Sequence, residues 1–173
     1  MGPPRGSPAG VRRRVRRAQP DSARGSRRDA RQARYFQRRG RGMTTTRTQR
    51  VFVVDDHATM RQSLQMLLEI LSSVEFCGEA EMGGEALTQI PQASPDMVIV
   101  DLSLPDMSGL EVVRRLGDEH PAIKALVVSG HSEKRHVQDA RDAGARGFVP
   151  KGQADQLREA IETVLAGQTF FPR

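Results

Sequence analysis

Apolar and polar positions follow two rhythms along residues 50–168. Short unbroken apolar runs alternate with longer stretches in which apolar residues recur every three or four positions. The runs are Val51-Phe52-Val53-Val54, Met97-Val98-Ile99-Val100, Ala125-Leu126-Val127-Val128 and the shorter Gly147-Phe148-Val149. Runs of this length suit strands buried on both faces, as in a parallel sheet. Met60, Leu64, Leu67, Leu68 and Leu71 instead make one apolar stripe of a helix. The pattern predicts strands over 50–55, 74–79, 96–101, 122–128 and 146–150. It predicts helices over 58–72, 84–92, from Ser108 onward, over 132–143 and over 153–166.

Local signals punctuate these elements. The Ser94-Pro95 step ends the second helix. Ser108-Gly109-Leu110-Glu111 reads as a capping box that opens the third, which buries Leu110, Val113 and Leu116. The fourth helix is mostly polar, with Val137, Ala140 and Ala143 to bury, and Gly144 stops it. The fifth buries Ala154, Leu157, Ile161, Val164 and Leu165, and stops at Gly167. Five βα units imply an α/β fold: a flavodoxin-like, doubly wound (βα)5 with a five-stranded parallel sheet in the order 2-1-3-4-5. That order makes strands 1 and 3 neighbours.

Charge divides the chain in two. Residues 1–50 hold 16 Arg, no Lys and two Asp, a net +14, so residues 51–173 carry −8 of the overall +6. Residues 1–46 read as a basic disordered leader, too poor in aliphatic residues to build a core. Such an arm could bind nucleic acid through its phosphates. A transit peptide is a second reading, weakened by poor amphipathy. The favoured expectation is translated upstream sequence, since Arg, Gly, Pro and Ala come from GC-rich codons. Met43 is then the true start. The single cysteine, Cys77, excludes an internal disulfide or a cysteine metal cluster and reads as a small buried residue. No apolar run is long enough to span a membrane, so a cytoplasmic location is expected.

The strand ends carry the chemistry. Asp55-Asp56 follow the first strand, Asp101 ends the third, Ser129 follows the fourth and Lys151 the fifth. In a parallel sheet these groups meet at one edge, where open α/β sheets bind ligands. Three neighbouring carboxylates repel one another unless a cation sits among them, and a hard divalent ion such as Mg2+ suits oxygen donors. Carboxylate, metal, ammonium and hydroxyl together suit attack of a carboxylate on a phosphoryl group. His57 and His131 flank this edge but are not expected as ligands, because carboxylates favour a harder ion than imidazole does.

Val53-Val54-Asp55-Asp56-His57, Val100-Asp101-Leu102-Ser103-Leu104-Pro105, Val128-Ser129-Gly130 and Phe148-Val149-Pro150-Lys151 together resemble the signature of response-regulator receiver domains. The resemblance covers residues 49–168 and leaves 169–173 as a tail. It implies Asp101 as phosphoacceptor. It implies Asp56 and Asp101 as side-chain Mg2+ ligands, the Ser103 carbonyl as a backbone ligand, and Asp55 acting on the metal through water. Ser129 and Lys151 would bind the aspartyl-phosphate oxygens, and Phe148 would be the switch aromatic, packing in or out beside the fourth helix. The implied partner is a histidine kinase or a phosphotransfer protein, and a homodimer is possible on the same grounds. Gly152 stands where many receivers have a proline after the lysine, which leaves the loop geometry open. Ala143-Gly144-Ala145-Arg146-Gly147-Phe148 and Ala166-Gly167-Gln168-Thr169-Phe170-Phe171-Pro172 resemble the LuxR-type branch. Proteins of that branch continue into a DNA-binding domain, and none is expected within these 173 residues. Two alternatives stand beside this reading: a phosphatase-like enzyme with an aspartyl-phosphate intermediate, and a nucleic-acid-binding protein acting through the leader. The former would place a second Asp where Ser103 stands.

Overall fold

The computed structural model describes Gly2, residues 47–130 and residues 133–172. The expectations for the leader, and for His131 and Ser132, lie outside the described residues. Ten elements alternate along the rest. They are β1 (Gln49–Val54), α1 (Ala58–Ile70), β2 (Val74–Ala80), α2 (Gly83–Ala93), β3 (Met97–Asp101), α3 (Gly109–Glu119), β4 (Lys124–Ser129), α4 (Lys134–Asp142), β5 (Gly147–Pro150) and α5 (Ala154–Leu165). All five strands pair in parallel in the order β2-β1-β3-β4-β5. The flavodoxin-like topology is the expected one, with element ends shifted by one or two residues, the usual fraying at element termini.

Side-chain alternation sorts the strands onto two cores. Phe52, Val54, Val98, Val100, Val127 and Phe148 point to one face, packed with Ile90 of α2, Leu116 of α3 and Ala140 of α4. Val51, Val53, Ile99, Leu126, Val128 and Val149 point to the other, packed with Leu64 and Leu68 of α1 and with Leu157 and Ile161 of α5. Each fully buried Val, Leu or Ile contributes about 1.5–3 kcal/mol. This two-sided burial is why the strands read as continuous apolar runs. On α5, Ala154 is exposed and Leu165 is half-buried, so the apolar stripe is narrower than expected. Cys77 is also half-buried, packed against the first core.

Half of the anticipated capping box forms at α3. The Ser108 hydroxyl accepts from the Leu110 N–H at 3.2 Å. The Glu111 carboxylate instead accepts from Arg115 Nε at 3.0 Å, one turn along the helix. α2 carries Pro91 in its last turn and ends at Ser94, whose φ of 47° is left-handed. The segment after α5 does more than trail. The Phe148 N–H donates to the Phe170 carbonyl at 2.8 Å, and the Phe170 N–H donates to the Arg146 carbonyl at 3.0 Å. Residues 169–172 thus lie along the outer edge of β5. Phe170 packs on one core, Phe171 on the other, and the Arg141 guanidinium sits 3.8 Å from the Phe171 ring centroid.

Gly109 begins α3 directly against the end of β3, and its N–H donates to the Leu102 carbonyl at 2.9 Å. A Cβ there would run into the Asp101 carbonyl and lie 3.0 Å from the Val100 side chain. Backbone cannot swing aside as a flexible side chain can. Gly109→Ala is therefore expected to destabilise by about 1–3 kcal/mol or more, read as a lowered midpoint in urea unfolding. An unchanged midpoint would show that the β3–α3 junction has slack.

Candidate functional site

β1, β3 and β5 end at the same edge of the sheet, and their last polar residues converge. Asp101 closes β3 and is 4% exposed, while Asp55 follows β1 and is 1% exposed. Lys151 follows β5, and its Nζ lies 2.8 Å from both Asp55 Oδ2 and Asp101 Oδ2. One ammonium thus bridges two buried carboxylates. The lysine is held in turn, since its N–H donates to the Ser129 carbonyl at 2.7 Å. The loop geometry that Gly152 left open is a trans turn. No cis peptide occurs among the described residues, and Gly152 takes a φ of +88°, which a side chain would resist.

Asp55 is further fixed by the His57 N–H, which donates to its Oδ1 at 2.9 Å. Asp56 is the more open neighbour. Its Oδ1 is buried yet accepts no hydrogen bond, although His57 Nδ1 lies 2.6 Å away. Asp101, Ser103, His57, Gly130 and Lys151 all line one open cavity of about 450 Å³. Ser103 sits in the loop after β3, bridged to Ser108. Ser129 ends β4 and is 1% exposed. It stands opposite Pro150, as Val127 stands opposite Phe148, so alternation puts Ser129 and Phe148 on one face of adjacent strands. The Phe148 ring is fully buried and occupies the inward of the two positions considered.

The charges are unbalanced. Burial pushes the Asp101 carboxyl above the ordinary carboxylate range, and the hydrogen bond from Lys151 only partly offsets this. Burial pulls Lys151 down, but its bonds to Asp101 and Asp55 outweigh that and hold it above the ordinary lysine range. A simple ion pair would lower its acid as it raises its base, and here the acid also rises. The asymmetry comes first from the burial of Asp101 and then from the Asp55 charge beside it, since one cation serves both carboxylates. Asp55, Asp56 and Asp101 each offer an oxygen, and His57 a nitrogen, all within 4.8 Å of one another. The buried Asp56 oxygen, which accepts no hydrogen bond, and the deficit of positive charge fit a divalent cation with mainly oxygen donors.

Two supporting residues were not singled out in the sequence. Arg61 donates to the Asp55 carbonyl at 2.7 Å and to Glu79 at 3.1 Å, tying α1 to the end of β1 and to β2. Asp106, in the loop carrying Ser103, accepts from the Gly83 and Gly84 N–H groups at 2.8 Å each. It caps α2 from another segment of chain. An arginine one turn into α1 and an aspartate after a Pro are weak signals, because their partners lie 18 and 22–23 residues away.

The family model of the response regulator receiver domain matches residues 51–162. The chain belongs to the response regulator receiver domain family. The transcriptional activator protein ExaE of Pseudomonas putida is 41% identical over 123 residues, 70% of this chain and 57% of that protein. The response regulator GacA of Pseudomonas viridiflava is 34% identical over 70% of this chain and 58% of its own length. The chain therefore spans a little over half the length of these relatives. A crystal structure of a LuxR-family two-component response regulator from Aurantimonas sp. SI85-9A1 superposes with a TM-score of 0.68 at 33% identity, over 71% of this chain and 89% of that one. The receiver reading and its LuxR-type neighbours are as the motifs implied. Neither the phosphatase-like nor the nucleic-acid-binding alternative gains support from these relatives.

The Asp106 clasp makes a pH prediction. The Gly84 and Gly83 amides hold its carboxyl below the ordinary aspartate range. Its stabilising effect is thus present above the ordinary value of about 4 and is lost as pH falls through the depressed one. In an NMR titration, the Asp106 carboxyl should titrate below that value, and the Gly83 and Gly84 amide resonances should move with the same midpoint. Amides that ignore this titration would show that the clasp does not form in solution.

Proposed function

We propose that this domain is the phosphoacceptor receiver of a two-component phosphorelay, with Asp101 as the residue phosphorylated. The observation that supports this most is the pairing of Lys151 with a buried carboxylate at the mouth of a cavity. Asp101 carries an oxygen nucleophile whose negative charge is imperfectly compensated. Attack forms an O–P bond to a phosphohistidine donor. The P–N bond breaks, and the electron pair leaves with the imidazole, which takes up a proton from solvent. Lys151 and Ser129 would then hold the oxygens of the transferred group. Asp56, Asp101 and the Ser103 carbonyl would hold Mg2+, with Asp55 acting through water. The ion supplies positive charge against the phosphoryl oxygens when bound. On this reading the chain is a signalling receiver that catalyses only its own phosphorylation and dephosphorylation.

The partners follow from the same reading. A histidine kinase or a phosphotransfer protein supplies the phosphoryl group, in the cytoplasm. No described helix is long and apolar enough to cross a membrane. Met66 and Ile70, exposed one turn apart on α1, support a second copy of the chain as a further partner. Phosphorylation replaces the single negative charge of the Asp101 carboxylate with the about −1.5 to −2 of a phosphoryl group, a net gain of up to about one negative charge in a pocket already rich in carboxylates. Ser129 and Phe148 share a face, so a Ser129 drawn toward the phosphoryl group changes the space available to the ring.

Asp101→Asn is expected to abolish phosphate incorporation from acetyl phosphate in Mg2+, read by intact mass. Wild-type incorporation by that variant would move the phosphoacceptor elsewhere and sink the assignment. For the switch, Ser129→Ala should still accept phosphate, more slowly, while losing the response of Phe148. NMR of ring-labelled phenylalanine with and without beryllofluoride reads this response. A Phe148 environment unchanged in the wild type removes the switch and leaves the phosphorylation chemistry standing.

A further inference from the structure

The acidic pocket contains a nitrogen donor as well as its oxygens. His57 is the N-cap of α1, yet its side chain makes no capping hydrogen bond. Its backbone is fixed on both sides. The N–H donates to Asp55, and the carbonyl accepts from the Met60 and Arg61 N–H groups at 3.0 and 3.1 Å. Only the side-chain rotations remain free, and they carry the ring back over the pocket. The side chain is 66% exposed, and even so Nδ1 lies 2.6 Å from Asp56 Oδ1 and 3.4 Å from Asp55 Oδ1.

An exposed histidine–carboxylate ion pair would be worth little and would be displaced when Asp56 took up a cation. The distances allow another role. The Asp56 oxygen it approaches makes no hydrogen bond, and Nδ1 belongs to the same compact set of donor atoms as Asp55, Asp56 and Asp101. We propose that His57 Nδ1 is an additional ligand of this divalent-cation site, biasing it away from Mg2+ toward ions that take imidazole more readily, such as Co2+. This rests on the reading that Asp56 and Asp101 hold the metal. Oxygen donors alone suit Mg2+, whereas a mixed nitrogen and oxygen set favours transition ions.

The test compares the full chain with His57→Ala. Calorimetry with MgCl2 and with CoCl2 gives the two affinities, and pulsed EPR of the Mn2+ complex reports any nitrogen bound to the ion. Removing His57 should weaken Co2+ by about tenfold or more while changing Mg2+ by less than about twofold, since even outer partners of a metal ligand are worth that much. The wild-type Mn2+ complex should show nitrogen hyperfine coupling that His57→Ala lacks. An Asp56→Asn variant should lose both ions, which ties the effects to this pocket rather than to another histidine. Mn2+ bound without nitrogen coupling, or Mg2+ bound more tightly once His57 is gone, would overturn the ligand assignment and leave the receiver reading intact. Failure of the wild type to bind any of the three ions at millimolar concentration would overturn both.

Discussion

Lys151 places a single ammonium between two carboxylates that the sheet has already buried. β1 delivers Asp55 and β3 delivers Asp101 to adjacent positions, and β5, two strands away from β3, supplies the ammonium that bridges them. A buried carboxylate without a partner would protonate or force the strand ends apart. The rest of the edge is arranged around this bridge. The Lys151 backbone is tied to Ser129, Gly152 turns the chain back into α5, and Arg61 fastens the backbone at Asp55. One positive charge for two negative ones also leaves a standing deficit. Burial raises the Asp101 carboxyl and the Asp55 charge adds to it, while the charge deficit fits the pocket for a further cation.

The β3–α3 loop shows how closely the scaffold constrains the end of β3 that carries Asp101. Gly109 fits against the Asp101 carbonyl because it has no side chain. Ser103 and Ser108 bridge the loop, and Asp106 reaches across to the start of α2. The loop is therefore held at both ends and in the middle. Ser103 can offer a carbonyl at a reproducible place without belonging to any helix or strand. Fixing such a group beforehand removes an ordering cost at the moment of binding.

Much of this was legible in the sequence, for an identifiable reason. Burial on both faces writes a strand as an unbroken apolar run, so Met97 to Val100 announced β3, while Asp101, bland by itself as a strand-ending acid, stood out only beside the polar ends of the other strands. Strand order then brought Asp55, Asp56, Asp101 and Lys151 together without further information. What the sequence hid depends on contacts between distant segments. Nothing local to Asp106 says that it caps a helix 22 residues earlier. Nothing local to His57 says which way its ring will turn. The Phe170-Phe171 pair was a signal that could have been used. Adjacent residues of an extended segment face opposite ways, so two aromatics in a row suit a segment straddling a sheet edge with a core on each side.

That straddling segment bears on how a change at the pocket could travel. α4 is the least anchored helix, with Ala140 and Ala143 buried, Val137 half-buried and the rest of its surface polar. Elements with few buried apolar contacts move most cheaply. Arg141 of that helix covers the Phe171 ring, and the Phe148 N–H is bonded to the Phe170 carbonyl. Phe148, which shares a face with Ser129, is thus bonded directly to the segment along the β5 edge. A displacement of α4 alters the cover over Phe171, and a change in the β5 backbone at Phe148 alters its bond to Phe170. The segment after α5 is therefore held by two contacts, Arg141 over Phe171 on the α4 side and the bond to Phe148 along β5, the strand that leads to Lys151.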